Sequence, residues 1–167
     1  MVNPRRLIFI HGLAGNSHGI KATLLRSVFP GLLTPDFSGS LDERMAYLES
    51  LLGAERDWTI IGSSLGGLMA ALFARQHTRQ VSRLILLAPA LIWPDFSQPP
   101  LAPIDIPTII YHGSQDELVP PHEVEQIAKQ IFTHLEFHLV DDDHGLYKTV
   151  QALDWHALLD VSTESQS

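Results

Sequence analysis

The chain has 167 residues, which suits one compact domain around a single core. With 45% hydrophobic and 18% charged residues, its composition is that of an ordinary globular protein rather than a disordered one. A net charge of −8 disfavours nucleic acid or an anionic membrane as partner, and the lack of any cysteine excludes disulfides and thiolate metal sites.

The first six residues, Met1 to Arg6, precede only a four-residue apolar run, too short for a signal peptide. No stretch approaches the ~20 apolar residues of a transmembrane helix. A soluble, cytoplasmic protein is therefore expected, a single domain over residues 1–167 with a frayed Ser/Thr/Gln-rich tail at 162–167.

Leu7-Ile8-Phe9-Ile10 reads as a strand apolar on both faces, as in a parallel sheet. It runs into the turn His11-Gly12-Leu13-Ala14-Gly15-Asn16-Ser17, where two glycines and an asparagine leave room for a ligand or a close backbone approach. A helix over Ile20–Val28 stops before Pro30-Gly31, and Leu32 to Pro35 is a short strand candidate. Ser40-Leu41-Asp42-Glu43 has the pattern of a capping box, and Leu41, Met45, Leu48 and Leu52 form the apolar stripe of the helix behind it, ended by Gly53.

Trp58-Thr59-Ile60-Ile61 then enters Gly62-Ser63-Ser64-Leu65-Gly66, followed by the small apolar run Leu68 to Ala74. Strand, Gly-x-Ser-x-Gly turn and helix form the context of a nucleophile elbow, which projects the central serine above a sheet. A Cβ at Gly62 or Gly66 would collide with neighbouring backbone in so tight a turn. Ser64 is the expected nucleophile; the bland alternative is a plain glycine-rich turn.

Val81 to Ala88 is another buried strand. The segment Pro89 to Pro107, with six prolines, Trp93 and Phe96, is loop-like and too short for a separate cap domain. Thr108 to Tyr111 is a strand leaving through His112-Gly113-Ser114-Gln115-Asp116, and a helix after Pro121 carries Val124, Ile127, Ala128 and Ile131 on one face. Leu135 to Val140 is the last strand, exiting at Asp141-Asp142-Asp143-His144-Gly145, and Val150, Leu153, Ala157 and Leu158 suit a final packing helix. Alternating strands and helices predict a three-layer α/β/α sandwich around a mostly parallel sheet of about six strands. Ligands then bind beyond the carboxyl ends of the strands, the edge at which His11-Gly12, Ser64, Asp116 and His144 all fall.

Together, Phe9 to Gly12, the elbow, His112 to Pro120 and Asp143-His144-Gly145 resemble the α/β-hydrolase family over about Arg6 to Leu159, and the order Ser, Asp, His is the order that fold uses. Lys21 to Leu25 is similar to the first helix of small bacterial serine esterases that lack a cap domain. The chain departs from larger members by starting at the strand before His-Gly, without the fold's first antiparallel strands, and by its short segment 89–107.

The resemblance implies a serine hydrolase acting on a small ester or thioester through an acyl-enzyme. His144 would take the proton of Ser64, and Asp116 would hold the other ring nitrogen. The backbone N–H groups of Leu65 and Leu13 would hold the oxyanion, Leu13 on the family pattern alone. No cofactor or metal is implied, and the expected partner is a small-molecule substrate. The competing readings are an acyltransferase, or a non-catalytic binding protein that kept the fold.

Other roles compete residue by residue. Asp141 to His144 could bind a metal, although adjacent acids rarely converge on one ion. Asp95 and Asp105 are weaker alternatives to Asp116. His11 and His112 read as turn supports and Lys21 as a solvated helix residue. Trp93 and Phe96 read either as core or as the roof of a short substrate-binding pocket.

Overall fold

The computed structural model describes residues 6–98 and 102–160. The expected tail at 162–167 and the chain start lie outside the described residues.

Among the described residues five strands form one sheet: β1 (Leu7–Ile10), β2 (Trp58–Ser63), β3 (Val81–Leu87), β4 (Thr108–Gly113) and β5 (Leu135–Val140). They pair in sequence order, and every pairing is parallel. The expected strand at Leu32 to Pro35 is reduced to one bridge, in which Leu33 exchanges backbone hydrogen bonds with Leu7 and Phe9. Pro35 has no N–H to donate, so the ladder ends there.

Each inner strand is apolar on both faces because helices cover both. Ile8, Ile10, Ile60, Leu84, Leu86 and Ile110 face a core shared with α2 (Leu41–Leu52), α3 (Leu65–Gln76) and α5 (Pro121–Ile131). Leu7, Phe9, Ile61, Ile85, Leu87 and Tyr111 face a second core, closed by α1 (Ile20–Val28), α6 (Tyr147–Ala152) and α7 (Trp155–Asp160). The period-2 alternation of the strands thus sorts neighbouring residues into the two cores. β5 is an edge strand, and Leu139 is half exposed there.

The capping box of α2 forms as expected: Ser40 accepts from the N–H of Glu43, and Glu43 accepts from the N–H of Ser40. The segment between β3 and β4 holds only the one-turn helix α4 (Pro94–Ser97) among the described residues.

The chain leaves β1 through α1 on one face, touches the sheet at Leu33 outside β1, and returns over the other face through α2 to β2. It leaves β2 in the opposite direction, through α3 to β3. The crevice between the carboxyl ends of β1 and β2 is therefore the topological switch point, where open α/β sheets bind ligands. Gly12-Leu13 and Ser64-Leu65 border it.

Candidate active site

Ser64 has φ 55° and ψ −114°, a conformation a side chain rarely takes. Its neighbours hold it there: its N–H donates to the carbonyl of Leu87, and its own carbonyl accepts from Gly67, Leu68 and Ala90. A Cβ on Gly62 would overlap the carbonyl of Gly66, and one on Gly66 would overlap the carbonyl of Ile10. Glycine is needed at both places for space, not for φ, since neither appears among the positive-φ residues.

His144 Nε2 lies 3.0 Å from Ser64 Oγ, and His144 Nδ1 lies 2.7 Å from Asp116 Oδ2. Asp116 Oδ1 accepts from the N–H groups of Leu118 (2.9 Å) and Val119 (2.8 Å). Because the carboxylate only accepts, it assigns the proton of His144 to Nδ1 and leaves the Nε2 lone pair facing the serine. The Asp116 side chain is fully buried, whereas that of His144 is partly open to the cavity.

The two turns are tied to each other. Ser114 N–H donates to the carbonyl of Val140, and Gln115 N–H to that of Asp142. Asp143 Oδ1 accepts from Gly145 N–H and shapes the turn that carries His144. The acids at 141–143 have separate partners: Asp141 meets Gln115 and Lys148, Asp142 meets Thr149, and Asp143 meets Gly145. Among the described residues no cluster is arranged to hold a metal ion.

His11 and His112 are buried turn supports. His11 Nε2 accepts from Phe37 N–H at 2.9 Å, so its Nδ1 carries the proton and donates to the Gly12 carbonyl at 2.6 Å. That carbonyl also accepts from Gly15 N–H at 3.1 Å. Fixing this carbonyl fixes the whole peptide plane, and with it the N–H of Leu13 on the opposite side. A Cβ on Gly12 would lie 3.3 Å from Ser64 Cβ and 3.9 Å from its Oγ, so the glycine lets this peptide approach the serine. Leu65 supplies the first N–H of α3, which has no carbonyl partner within the helix and stands at the positive end of its dipole.

His112 Nε2 donates to the Val119 carbonyl at 2.9 Å and lies 3.2 Å from Asp116 Oδ2, while its Nδ1 is buried without a partner. Burial lowers its pKa, against the opposing pull of the Val119 carbonyl and Asp116, so the ring is held neutral.

Ser64, Leu65, His144 and Leu13 line one cavity of about 630 Å³. Ala90, Ile92 and Trp93 from the β3 exit, with Leu118 and Val119 from the β4 exit, form an apolar wall on one side of the serine. Gly15, Lys21 and Tyr147 line the side toward β1. Trp93 is 42% exposed and belongs to that wall. Phe96 does not: it is fully buried, stacked on Phe132 with its ring centroids 6.3 Å apart and covered by the Arg75 guanidinium. The expectation that it lines the pocket is corrected by this packing, because α4 is a single turn whose one inward face takes Phe96. Lys21 is corrected too, from a solvated position to a half-buried one in the cavity wall. Asp95 is exposed beside Arg75, and Asp105 pairs with Thr133 and His134 at the sheet's far end.

Tyr147, Ile92, Leu118 and Val119 were not singled out by the sequence. Only their nearness to His144, Trp93 and Asp116 in the chain could have suggested them.

A family model for the alpha/beta hydrolase fold matches residues 30–102. No curated protein matches the chain. Among solved structures, it is similar to mouse alpha/beta hydrolase domain-containing protein 10, at 22% identity and TM-score 0.78, over 94% of this chain and 90% of that one. It is similar to Est1E from Butyrivibrio proteoclasticus with ferulic acid bound, at 18% identity and TM-score 0.72, over 93% and 89%. It is also similar to a protein of the alpha/beta superfamily from Xanthomonas campestris, at 27% identity and TM-score 0.70, over 90% and 92%. The chain has the α/β-hydrolase fold in a small form. Among the described residues no helix is long and apolar enough to cross a membrane.

Proposed function

We propose that the protein is a serine hydrolase that cleaves a small carboxylic ester or thioester through an acyl-enzyme. The observation that carries this reading is the unbroken run of contacts from Asp116 through His144 to Ser64, at 2.7 Å and 3.0 Å. Ser64 Oγ attacks the carbonyl carbon as its proton passes to His144 Nε2. The oxyanion is held by the N–H groups of Leu13 and Leu65. Collapse breaks the bond to the alcohol or thiol, which leaves with the proton from His144. Water then repeats the sequence on the acyl-serine, releasing the acid and restoring Ser64. Asp116 keeps His144 in the required tautomer and stabilises the imidazolium. The Est1E structure with ferulic acid bound lends support, since a carboxylic acid is what ester hydrolysis releases.

The test is labelling with a fluorophosphonate probe. Wild type should be labelled and Ser64→Ala should not, with hydrolysis of p-nitrophenyl esters falling roughly 10⁴–10⁶-fold in the variant, the scale seen for such serines in other hydrolases. A non-catalytic binding protein would take no label. An acyltransferase would label but pass its acyl group to an added acceptor faster than to water.

A further inference from the structure

Among the described residues lining the cavity, Lys21 is the only lysine, arginine or carboxylate side chain. The rest of the lining is apolar, apart from the serines, His144 and the Tyr147 phenol. Its ammonium sits over the Tyr147 ring, 4.7 Å from the centroid. Among the described residues no carboxylate lies within ion-pairing distance of it: Asp142 and Asp143, the two acids whose charge acts on it, are held by Thr149 and Gly145. Burial pulls its pKa down while these two acids push it back up. A chain of net charge −8 thus places one unpaired cation in the wall of its reaction cavity. Lys21 and Tyr147 also line a small side compartment of about 80 Å³ that runs toward Asn16 and Gly19.

The strand order sets the direction. Ser64 leaves β2; Lys21 lies on the β1 side, and the apolar wall of Ile92, Trp93 and Leu118 lies on the β3 and β4 side. A carbonyl at Ser64 therefore has one arm directed to an apolar surface and the other to a cation. We propose that Lys21 determines specificity, binding an anionic group, such as a carboxylate, on one arm of an ester or thioester whose other arm is apolar. This rests on the reading of the cavity as a serine-hydrolase site. A half-buried ammonium with no carboxylate partner gains a charge-assisted hydrogen bond from such a ligand without first breaking an ion pair.

The experiment compares matched esters. One pair places the charge on the acyl arm, p-nitrophenyl hemiglutarate against p-nitrophenyl pentanoate. The other places it on the leaving arm, 4-butyryloxybenzoate against its methyl ester. For the favoured pair, the ratio of kcat/KM for the anionic ester to that for the neutral ester should fall about tenfold or more in Lys21→Met, which keeps the stem and removes the charge. Calorimetry adds a readout that needs no turnover: the favoured anionic ester should bind Ser64→Ala about tenfold or more tighter than Ser64→Ala/Lys21→Met. Ratios unchanged in both pairs, with equal binding to the two inactive proteins, would overturn the proposal. Nitrophenol release by Ser64→Ala at the wild-type rate would instead overturn the nucleophile. A thermal midpoint preserved in Lys21→Met excludes a merely structural role for the charge.

Discussion

Asp116 meets His144 through Oδ2 alone, because its Oδ1 is already held by the N–H groups of Leu118 and Val119. The carboxylate cannot swing away from the imidazole without breaking two backbone hydrogen bonds. That rigidity fixes which nitrogen of His144 faces Ser64. Asp116→Asn should preserve the fold, but the amide's NH2 would face Nδ1 and favour the wrong tautomer. Ester turnover at pH 7 should drop about 10⁴-fold, the scale of the equivalent change in serine proteases. Steady-state kinetics beside a circular dichroism spectrum checks this, and a loss below tenfold would separate Asp116 from the reaction.

His11 should matter for rate although it does not touch Ser64. It donates to the Gly12 carbonyl and so orients the Leu13 N–H on the other side of that peptide. His11→Ala removes this donor and also orphans the buried N–H of Phe37, costing roughly 1–3 kcal/mol of stability. If the Leu13 N–H holds the oxyanion, kcat should fall roughly 10–100-fold, with KM little changed. An intact kcat in folded His11→Ala would remove Leu13 from the oxyanion hole.

The neutral His112 makes stability depend on pH. Its folded pKa lies below the ordinary histidine value because of burial, so the unfolded chain binds a proton that the folded chain refuses. The stability this preserves is complete above the unfolded pKa of ~6.5 and is lost as pH falls toward the lowered folded value. The slope in that window is at most about 1.4 kcal/mol per pH unit for one such group. Denaturant midpoints between pH 7.5 and 5 should therefore fall more steeply for wild type than for His112→Gln, whose side chain does not titrate and can still donate to Val119. Parallel curves for the two proteins would show that His112 does not carry the effect.

The sheet was legible in the sequence because its inner strands are short, apolar on both sides and bounded by turn residues. Ile20–Val28 and the Ser40–Glu43 capping box were legible because their signals are local. The candidate site was legible where chemistry coincides with strand exits: Ser64, Asp116 and His144 each follow a strand that a parallel sheet must end at one edge. Lys21 and Phe96 were not legible for a common reason. Lys21 is half-buried because Tyr147, far along the chain, folds over it. Phe96 is core because Phe132 and Arg75 receive it. Such neighbours come from packing between distant segments, which periodicity within one segment does not encode.

Trp93 and Phe96, three residues apart, should therefore behave in opposite ways. Phe96 is fully buried, and Phe96→Ala should cost about 3–5 kcal/mol of stability with no change in the order of preferred substrates. Trp93 lies in the cavity wall and is partly exposed, so Trp93→Ala should leave the thermal midpoint close to that of wild type. Its effect belongs in specificity. Each acyl methylene placed against the wall of Ile92, Trp93 and Leu118 contributes about 0.8 kcal/mol, or roughly fourfold in kcat/KM. Among the described residues the segment between β3 and β4 offers only α4 as cover, so the climb should stop after the first few carbons, with acetyl to hexanoyl esters preferred over dodecanoyl. Trp93→Ala should flatten the climb. A series of p-nitrophenyl esters from acetyl to dodecanoyl, run on wild type and both variants, decides the matter. A rise that continues to dodecanoyl, or a climb unaffected by Trp93→Ala, would remove Trp93 from the pocket; a chain-length profile altered by Phe96→Ala would show that the core residue shapes the wall after all.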